Sequence, residues 1–388
     1  MDVDITIVGG GLAGLSLAVA LRNARLNVAL IEGRAPVRPR SDAEWDSRIY
    51  ALSPANARFL DSIGVWQHLP LERRCDVQAM EIFGDASSEL HFSAYDSGVG
   101  ELAWIVESSL LQNELWLSAQ RQPNLTLLCP SRPNKLEIEA DVARITLEDG
   151  RVINSKLVVA ADGADSWTRT AAGIAVDFYP YDQLGVVANF SCQEAHRGTA
   201  YQWFREDGVL AWLPLPDNRI SMVWSTGVAH AKELLALPAD EMARTVAEAG
   251  GFRLGELEIF GTPAGFPLRL MRAPKMVQPR LALIGDAAHT IHPLSGHGIN
   301  LGFQDAAALA NQLCTKAEHI DCGNLRLLRA FERSRAEEVL ALQSVTDGLH
   351  HLFGASQTPL KRLRNFGLNF TNQMPVIKAA LVRYALAA

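Results

Sequence analysis

Glycines stand at Gly9, Gly11 and Gly14 in the spacing GxGxxG, and an acid, Glu32, closes the apolar run that follows. Each glycine has its own physical reason. The first permits a tight turn, the second lets a diphosphate approach the backbone, and the third lets a helix pack on a strand. A helix opening at that turn aims free N–H groups and a partial positive charge at phosphates. An acid about twenty residues further on accepts a bond from a ribose hydroxyl. Gly9, Gly10, Gly11, Leu12, Ala13, Gly14 and Glu32 are therefore the candidate contacts to a dinucleotide. An acid rather than a basic cluster at position 32 favours an unphosphorylated ribose. FAD and NAD both qualify at this point.

Two further stretches have the same character. In 157–169 (LVVAADGADSWTR) an apolar strand delivers Asp162 and Gly163 to a strand end, where open α/β sheets bind ligands. In 281–303 (LALIGDAAHTIHPLSGHGINLGF) a strand ends at Gly285-Asp286, and Gly296, Gly298, Ile299 and Asn300 open a long helix. Asp286 can accept a ribityl hydroxyl bond, and the helix start can set N–H groups beside an anionic ring. His289, His292 and His297 invite a metal reading. No HEXXH pattern accompanies them and Pro293 interrupts helical spacing, so hydrogen-bonded histidines lining a pocket are expected, and no metal.

The elements that must carry these residues follow from periodicity. Residues 4–8 (DITIV) and 27–31 (NVALI) read as buried parallel strands flanking a helix over 12–25, a complete βαβ unit. Asp149-Gly150 marks a hairpin, and 156–161 and 280–284 are further buried strands. Residues 54–63 and 108–121 read as helices, and 76–83 and 89–92 as strands. Between 178 and 224, strand-like runs broken by Pro, Gly and Asp predict an antiparallel sheet. A helix over 237–249 and strands at 256–260 and 265–270 come next, and 302–388 is almost all helical.

Composition bounds the rest. The 388 residues suffice for roughly two domains. A net charge of −7 leaves no global electrostatic footprint for nucleic acid. Five cysteines, Cys75, Cys129, Cys192, Cys314 and Cys322, have no CxxC spacing, which argues against a disulfide framework or thiolate zinc and for a reducing cytosol. The N-terminus is acidic and glycine-broken, so it reads as a strand and not a secretory signal. No uncharged apolar run of about 18 residues predicts a transmembrane helix.

The three stretches together resemble the class A flavin-dependent aromatic hydroxylases, the fold of para-hydroxybenzoate hydroxylase. GGGLAG looks like that family's dinucleotide fingerprint, AADGADS with Arg169 like its Asp-Gly motif, and GDAAHTIHPLSGHGINLGFQDA like its Gly-Asp motif. SRIYALSPAN (47–56), WIVESSLLQNELW (104–116) and the TDGLHHLF and LRNFGLNFTNQMPVIKAAL segments within 346–381 are most similar to the ubiquinone-biosynthesis hydroxylases, and the likeness spans nearly the whole chain. Ser295 and His297 stand where that family more often has Ala and Gln; Asp165 replaces an Asn, and Ser108 an Arg or Asn.

The resemblance implies an α/β fold: a Rossmann-like FAD domain with a mixed or parallel sheet, an antiparallel-sheet substrate domain and C-terminal helices. Residues 1–75, 101–175 and 271–330 would form the discontinuous FAD domain, 76–100 and 176–270 the substrate domain, and 331–388 the helical segment. It further implies that Glu32 holds the adenosine ribose, Arg48 lies near the flavin or its ribityl chain, and Asp162 and Gly163 close the second side of the cleft. Asp286 would bind the ribityl and pyrophosphate region, and Pro293, Gly298 and Asn300 would line the isoalloxazine.

The implied reaction is hydroxylation of a polyprenylated phenol, with NAD(P)H and O2 as cosubstrates and a flavin C4a-hydroperoxide as the oxygen donor. A single GxGxxG fits a nicotinamide that visits transiently. No catalytic base stands out; Tyr201, Tyr179 and His91 are the options, each more in keeping with a structural role. Phe190, Trp203, Phe204, Leu210, Trp212, Leu213, Val223 and Trp224 read first as sheet core and second as the wall of a prenyl channel. Lys361, Arg362, Arg364, Lys378 and Arg383 leave contact with an anionic membrane or a biosynthetic complex open. A cytoplasmic location, peripheral on the inner membrane at most, goes with this reading. The alternatives are hydroxylation of a small soluble aromatic, flavin-dependent isoprenoid reduction, and a non-catalytic FAD scaffold.

Overall fold

The computed structural model describes residues 1–37, 45–84, 88–290 and 298–354. The glycine turn and its neighbours hang from one sheet. Asp2–Val8 runs at its centre, with Val28–Ile31 parallel on one side and Val152–Ala160 parallel on the other. Leu125–Leu128 extends the sheet beyond Val28–Ile31, and Leu281–Leu283 extends it beyond Val152–Ala160. The chain first builds outward to one side and then returns across the centre. That reversal is the topological switch at which such sheets bind ligands.

Register makes the ligand edge straight. Leu128, Ile31, Val8, Ala160 and Leu283 form one row of neighbours across the sheet. The residues that leave that row are Glu32, Gly9, Ala161 and Ile284, so the fingerprint, the acid, the Asp-Gly motif and the Gly-Asp motif all leave from the same edge. The strands are apolar on both faces, with Ile5, Ile7, Leu30, Val158 and Leu283 buried. Helices Leu12–Ala20 and Gly298–Thr315 cover them, and Phe303 and Phe331 join the same core.

A second sheet of eight strands has the order 289–290, 257–272, 177–192, 219–227, 208–215, 199–205, 79–83 and 89–93. Its pairs are antiparallel except Thr199–Arg205 with Ala79–Phe83, which is parallel. The edge strand at the start of this order, His289–Thr290, follows directly from the Gly-Asp motif and pairs with Met271 and Arg272. A small third sheet pairs Ala103–Glu107 with Ile49–Leu52 and with Arg74–Val77.

Several local expectations change. Leu257–Arg272 is one 16-residue strand, not two, because a register shift against Asp177–Cys192 takes up Gly261 and Pro263, while Gly265 and Pro267 stay paired with Val186 and Leu184. Residues 76–83 divide between two sheets, since Arg74–Val77 and Ala79–Phe83 pair with different partners. Val228–Ala236 forms a helix that precedes Ala239–Ala249. These two helices cover Phe190, Leu210, Trp212, Met222 and Trp224, which makes that set a sheet core. Leu213 lies in a separate cluster with Ala200, Leu215 and Phe260. The basic residues from Lys361 onward lie outside the described residues.

Candidate functional site

The glycine turn is closed by contacts that leave no room for side chains. A Cβ on Gly9, whose φ is +106°, would fall 2.3 Å from the Ala161 carbonyl oxygen, and one on Gly14 would fall 2.0 Å from the Gly9 carbonyl oxygen. Gly11 is different. Its φ is −72°, and a Cβ there would meet no protein atom within 4 Å. It caps helix Leu12–Ala20 without a side chain to satisfy the first-turn N–H groups. The helix start thus presents open donors into open space, which fits a diphosphate.

Glu32 is drawn onto this turn. Its Oε2 accepts the Gly10 N–H at 2.5 Å and its Oε1 accepts the Arg34 N–H at 2.9 Å. Each oxygen has a second lone pair for a ribose hydroxyl. Gln112, on helix Ser108–Gln120, donates to the Gly10 carbonyl at 2.8 Å. Nothing in the sequence marked it, because its partner is a backbone atom 102 residues away.

The Asp-Gly motif touches both of the others. Asp162 accepts from the Ser166 hydroxyl at 2.5 Å and from the Thr168 N–H and hydroxyl, each at 2.9 Å. Its carboxylate therefore shapes its own loop and the short helix Trp167–Ala171. Gly163, with φ +82°, has open space where a Cβ would be. Arg169 is buried and donates to the Ala164 carbonyl at 2.9 Å and to the Ala287 carbonyl at 3.0 Å. It clamps the second motif onto the third.

The third motif meets the first directly. A Cβ on Gly285 would lie 3.1 Å from the Ala13 methyl, and one on Gly302 would lie 3.5 Å from it. Asp286 rides on this turn with solvent access, yet protein surrounds it on the remaining sides. That crowding pushes its carboxyl above the ordinary value, and Asp305 adds to the rise, while His289, Arg48 and Arg269 oppose it. An exposed carboxylate at a strand end, with cations near it, suits a chain of hydroxyls.

Arg48 is exposed, and its guanidinium lies 4.9 Å from the centre of the Phe266 ring on the second sheet. Arg48 thus stands between the second sheet and Asp286. Tyr50, two residues on, shares this corner: burial raises its phenol, with Arg48 and a bond to Ser108 opposing and Asp286 adding to the rise. The loop carrying Arg48 is held by Asp46, which accepts the Arg48 N–H and the Ser109 N–H, both at 2.9 Å.

The Asn300 side chain is engaged within the protein. Its Oδ1 accepts the Ser53 N–H at 2.8 Å and the Asn56 amide at 2.9 Å, and its amide donates to the Ala51 carbonyl at 2.8 Å. The side chain thus fixes the 51–56 segment. Gly298 leaves open space where a Cβ would be, and Ile299 packs partly on the core. Pro293, Gly296, His292, Ser295 and His297 lie outside the described residues. His289 is buried against Asp305, at 2.7 Å. Of the three base options, Tyr201 is buried in the outer core, while Tyr179 is 59 % exposed and His91 lies on the sheet's last strand.

Comparison with known proteins agrees with this geometry. The model of the FAD binding domain family matches residues 2–343. The ubiquinone hydroxylase UbiL of Rhodospirillum rubrum is 34% identical over 99% of this chain and 89% of its own. The 3-demethoxyubiquinol 3-hydroxylase of Escherichia coli is 33% identical over 99% of this chain and 98% of its own. The crystal structure of p-nitrophenol 4-monooxygenase PnpA from Pseudomonas putida superposes with a TM-score of 0.80 at 17% identity, over 100% of this chain and 99% of that one, which speaks for the fold alone. The chain belongs to the class A FAD-dependent monooxygenases, in the group that holds the ubiquinone-biosynthesis hydroxylases.

Proposed function

We propose that this FAD-dependent enzyme hydroxylates the aromatic ring of a polyprenylated phenol in ubiquinone biosynthesis, with NAD(P)H and O2 as cosubstrates. The observation that carries the reading is the meeting of three remote motifs at one sheet edge, in a chain similar over 99% of its length to hydroxylases of ubiquinone intermediates. When bound, FAD supplies the redox chemistry and the activation of oxygen.

The chain's own residues bind, orient and shield. Gly9, Gly10, Gly11, Leu12, Ala13 and Gly14 would hold the diphosphate on backbone N–H groups, and Glu32 the adenosine ribose. Asp286 would receive ribityl hydroxyls. The helix start at Gly298, Ile299 and Asn300 would lie beside the ring system, with Arg48 at the same corner and Gly163 leaving the second wall open. The second sheet would roof the cleft and keep water from the reacting ring. We keep the division into a discontinuous FAD unit and a sheet unit; its support is that 79–83 and 89–93 pair with the strands of 177–272.

No helix among the described residues is long and apolar enough to cross a membrane. Reaching a polyprenylated substrate would then require contact with a bilayer surface or a lipid carrier, from a cytoplasmic location. The test is turnover of a prenylated phenol by the FAD-loaded protein with NADH or NADPH, following oxygen uptake and product mass together. One oxygen atom in the product per O2 consumed is expected. Uptake that ends wholly in hydrogen peroxide, or turnover confined to unprenylated phenols, would overturn the reading. Quinone profiling of a deletion strain then identifies the missing hydroxyl.

A further inference from the structure

Behind the Gly285–Asp286 turn lies a buried ionic cluster. Asp305, on helix Gly298–Thr315, has no solvent exposure. Its Oδ2 accepts the Gly285 N–H at 2.9 Å and meets the His289 ring nitrogen at 2.7 Å. Its Oδ1 accepts from Arg335 Nε at 2.8 Å. Arg335 belongs to the last described helix, Leu325–Gly354, and is itself buried. It also donates to the Gln304 side chain at 2.7 Å and pairs with Glu338.

The geometry has a consequence for Asp286. Gly285 and His289 bracket the turn that carries it, and one carboxylate oxygen pins both. The pose of Asp286 is therefore set by where Asp305 stands and by whether Asp305 is charged. Burial would push the Asp305 carboxyl up, but His289 and Arg335 outweigh it and hold it below the ordinary range. A guanidinium stays charged at every working pH, so Arg335 is the fixed counter-charge. Removing it would leave a buried carboxylate with its counter-charge cut back to His289, a deficit that a protein relieves by protonation or by moving the group. Either change disturbs the acceptor that holds Gly285 and His289.

We propose that Asp305, His289 and Arg335 form a positioning relay through which the docking of helix Leu325–Gly354 sets the grip of the Gly285–Asp286 turn on FAD. None of the three is a catalytic residue. Coupling of this kind is reciprocal: if docking of the helix strengthens FAD binding, FAD strengthens docking of the helix by the same factor. The inference rests on flavin binding and not on the phenol substrate, so failure of the hydroxylation assay leaves it standing.

The test uses the full chain stripped of FAD. In the wild-type protein, added FAD should slow amide hydrogen exchange both in 285–290 and in 325–341. Arg335→Met should weaken FAD affinity about tenfold in protein with wild-type circular dichroism, within the usual span of coupling energies. Arg335→Lys should restore most of that loss, and Glu338→Gln, at the half-exposed outer partner, should cost little. A merely structural cluster would lower the melting temperature of the apoprotein and leave the affinity of the folded fraction unmoved. That result, or protection by FAD at 285–290 with none at 325–341, would overturn the proposal. The wild-type exchange measurement decides if Arg335→Met does not fold.

Discussion

Gly285 and Ala13 stand in contact although 272 positions separate them: the Cβ that Gly285 lacks would lie 3.1 Å from the Ala13 methyl. Gly285 also has φ +58°. Gly285→Ala therefore meets two penalties, a left-handed backbone and a tight neighbour. The expected cost is about 1–2 kcal/mol in chemical denaturation from the backbone alone. FAD affinity should fall as well, since the turn carries Asp286.

Asp286 gives a prediction of opposite sign for stability. Crowding in the cleft raises its folded-state carboxyl above the unfolded value. A raised acid contributes stability that is present below the unfolded value and is lost as pH rises through the folded one. At neutral pH the charge is therefore a burden on the empty protein. Asp286→Asn should leave the apoprotein at least as stable by thermal denaturation, while weakening FAD binding about tenfold, the value of a charge-assisted hydrogen bond. Unchanged flavin affinity in the folded variant would count against the ribityl role.

Arg73 and Glu107 form a buried pair under the Arg48 loop. Arg73 Nε and Nη2 reach the two carboxylate oxygens at 2.8 Å each, and Glu107 also accepts the Asp46 N–H at 2.8 Å. Burial lifts the Glu107 carboxyl overall, against the Asp46 N–H and Arg73. Arg73→Met should cost about 3–5 kcal/mol in urea denaturation, because it strands that carboxylate. Glu107→Gln should cost less, because Arg73 is partly solvated and lies 4.2 Å from the centre of the Trp45 ring. The reverse order would show that the guanidinium, not the carboxylate, bears the burial.

Thiol chemistry should report the fold. Burial pushes Cys75 to about 11, with Asp76 adding, and Cys192 to about 12. At pH 8 roughly one Cys75 in a thousand is then thiolate. Iodoacetamide on the native protein should spare both residues and take Cys314 first, which is exposed although partial burial lifts its thiol as well. Because both folded values are raised, their contribution to stability is present below the unfolded value and fades as pH climbs toward 11–12. Rapid native labelling of Cys192 would contradict the placement of its strand.

The parts of this fold that were legible share one property: their signals are local. Gly9, Gly11, Gly14 and Glu32 lie in a single βαβ unit, and buried parallel strands are apolar without alternation, so periodicity and glycine spacing sufficed. What was missed depends on distant partners. Gln112 serves the Gly10 carbonyl, Asn300 serves Ser53 and Asn56, and Asp305 joins Gly285 to Arg335. No spacing rule links such residues. The long strand Leu257–Arg272 read as two because Gly and Pro break isolated strands, whereas its long partner strand tolerates the register shift they impose.

The central claim, that one diphosphate-bearing flavin sits on the glycine turn, is tested most directly at Gly11. Its φ is ordinary and its missing Cβ would meet no protein atom within 4 Å, so a methyl there clashes with nothing in the protein and costs only the poorer N-cap. The measurement is an FAD titration of wild-type and Gly11→Ala apoprotein, followed by flavin fluorescence, beside thermal melts of both. Expected are one FAD per chain for the wild type, a variant melt lowered by no more than about 1 kcal/mol, the cost of alanine at a helix N-cap, and at least about tenfold weaker FAD binding by the folded variant, or about 1.4 kcal/mol. Equal affinity in the two proteins, or a folded wild type that takes up no FAD, would contradict it.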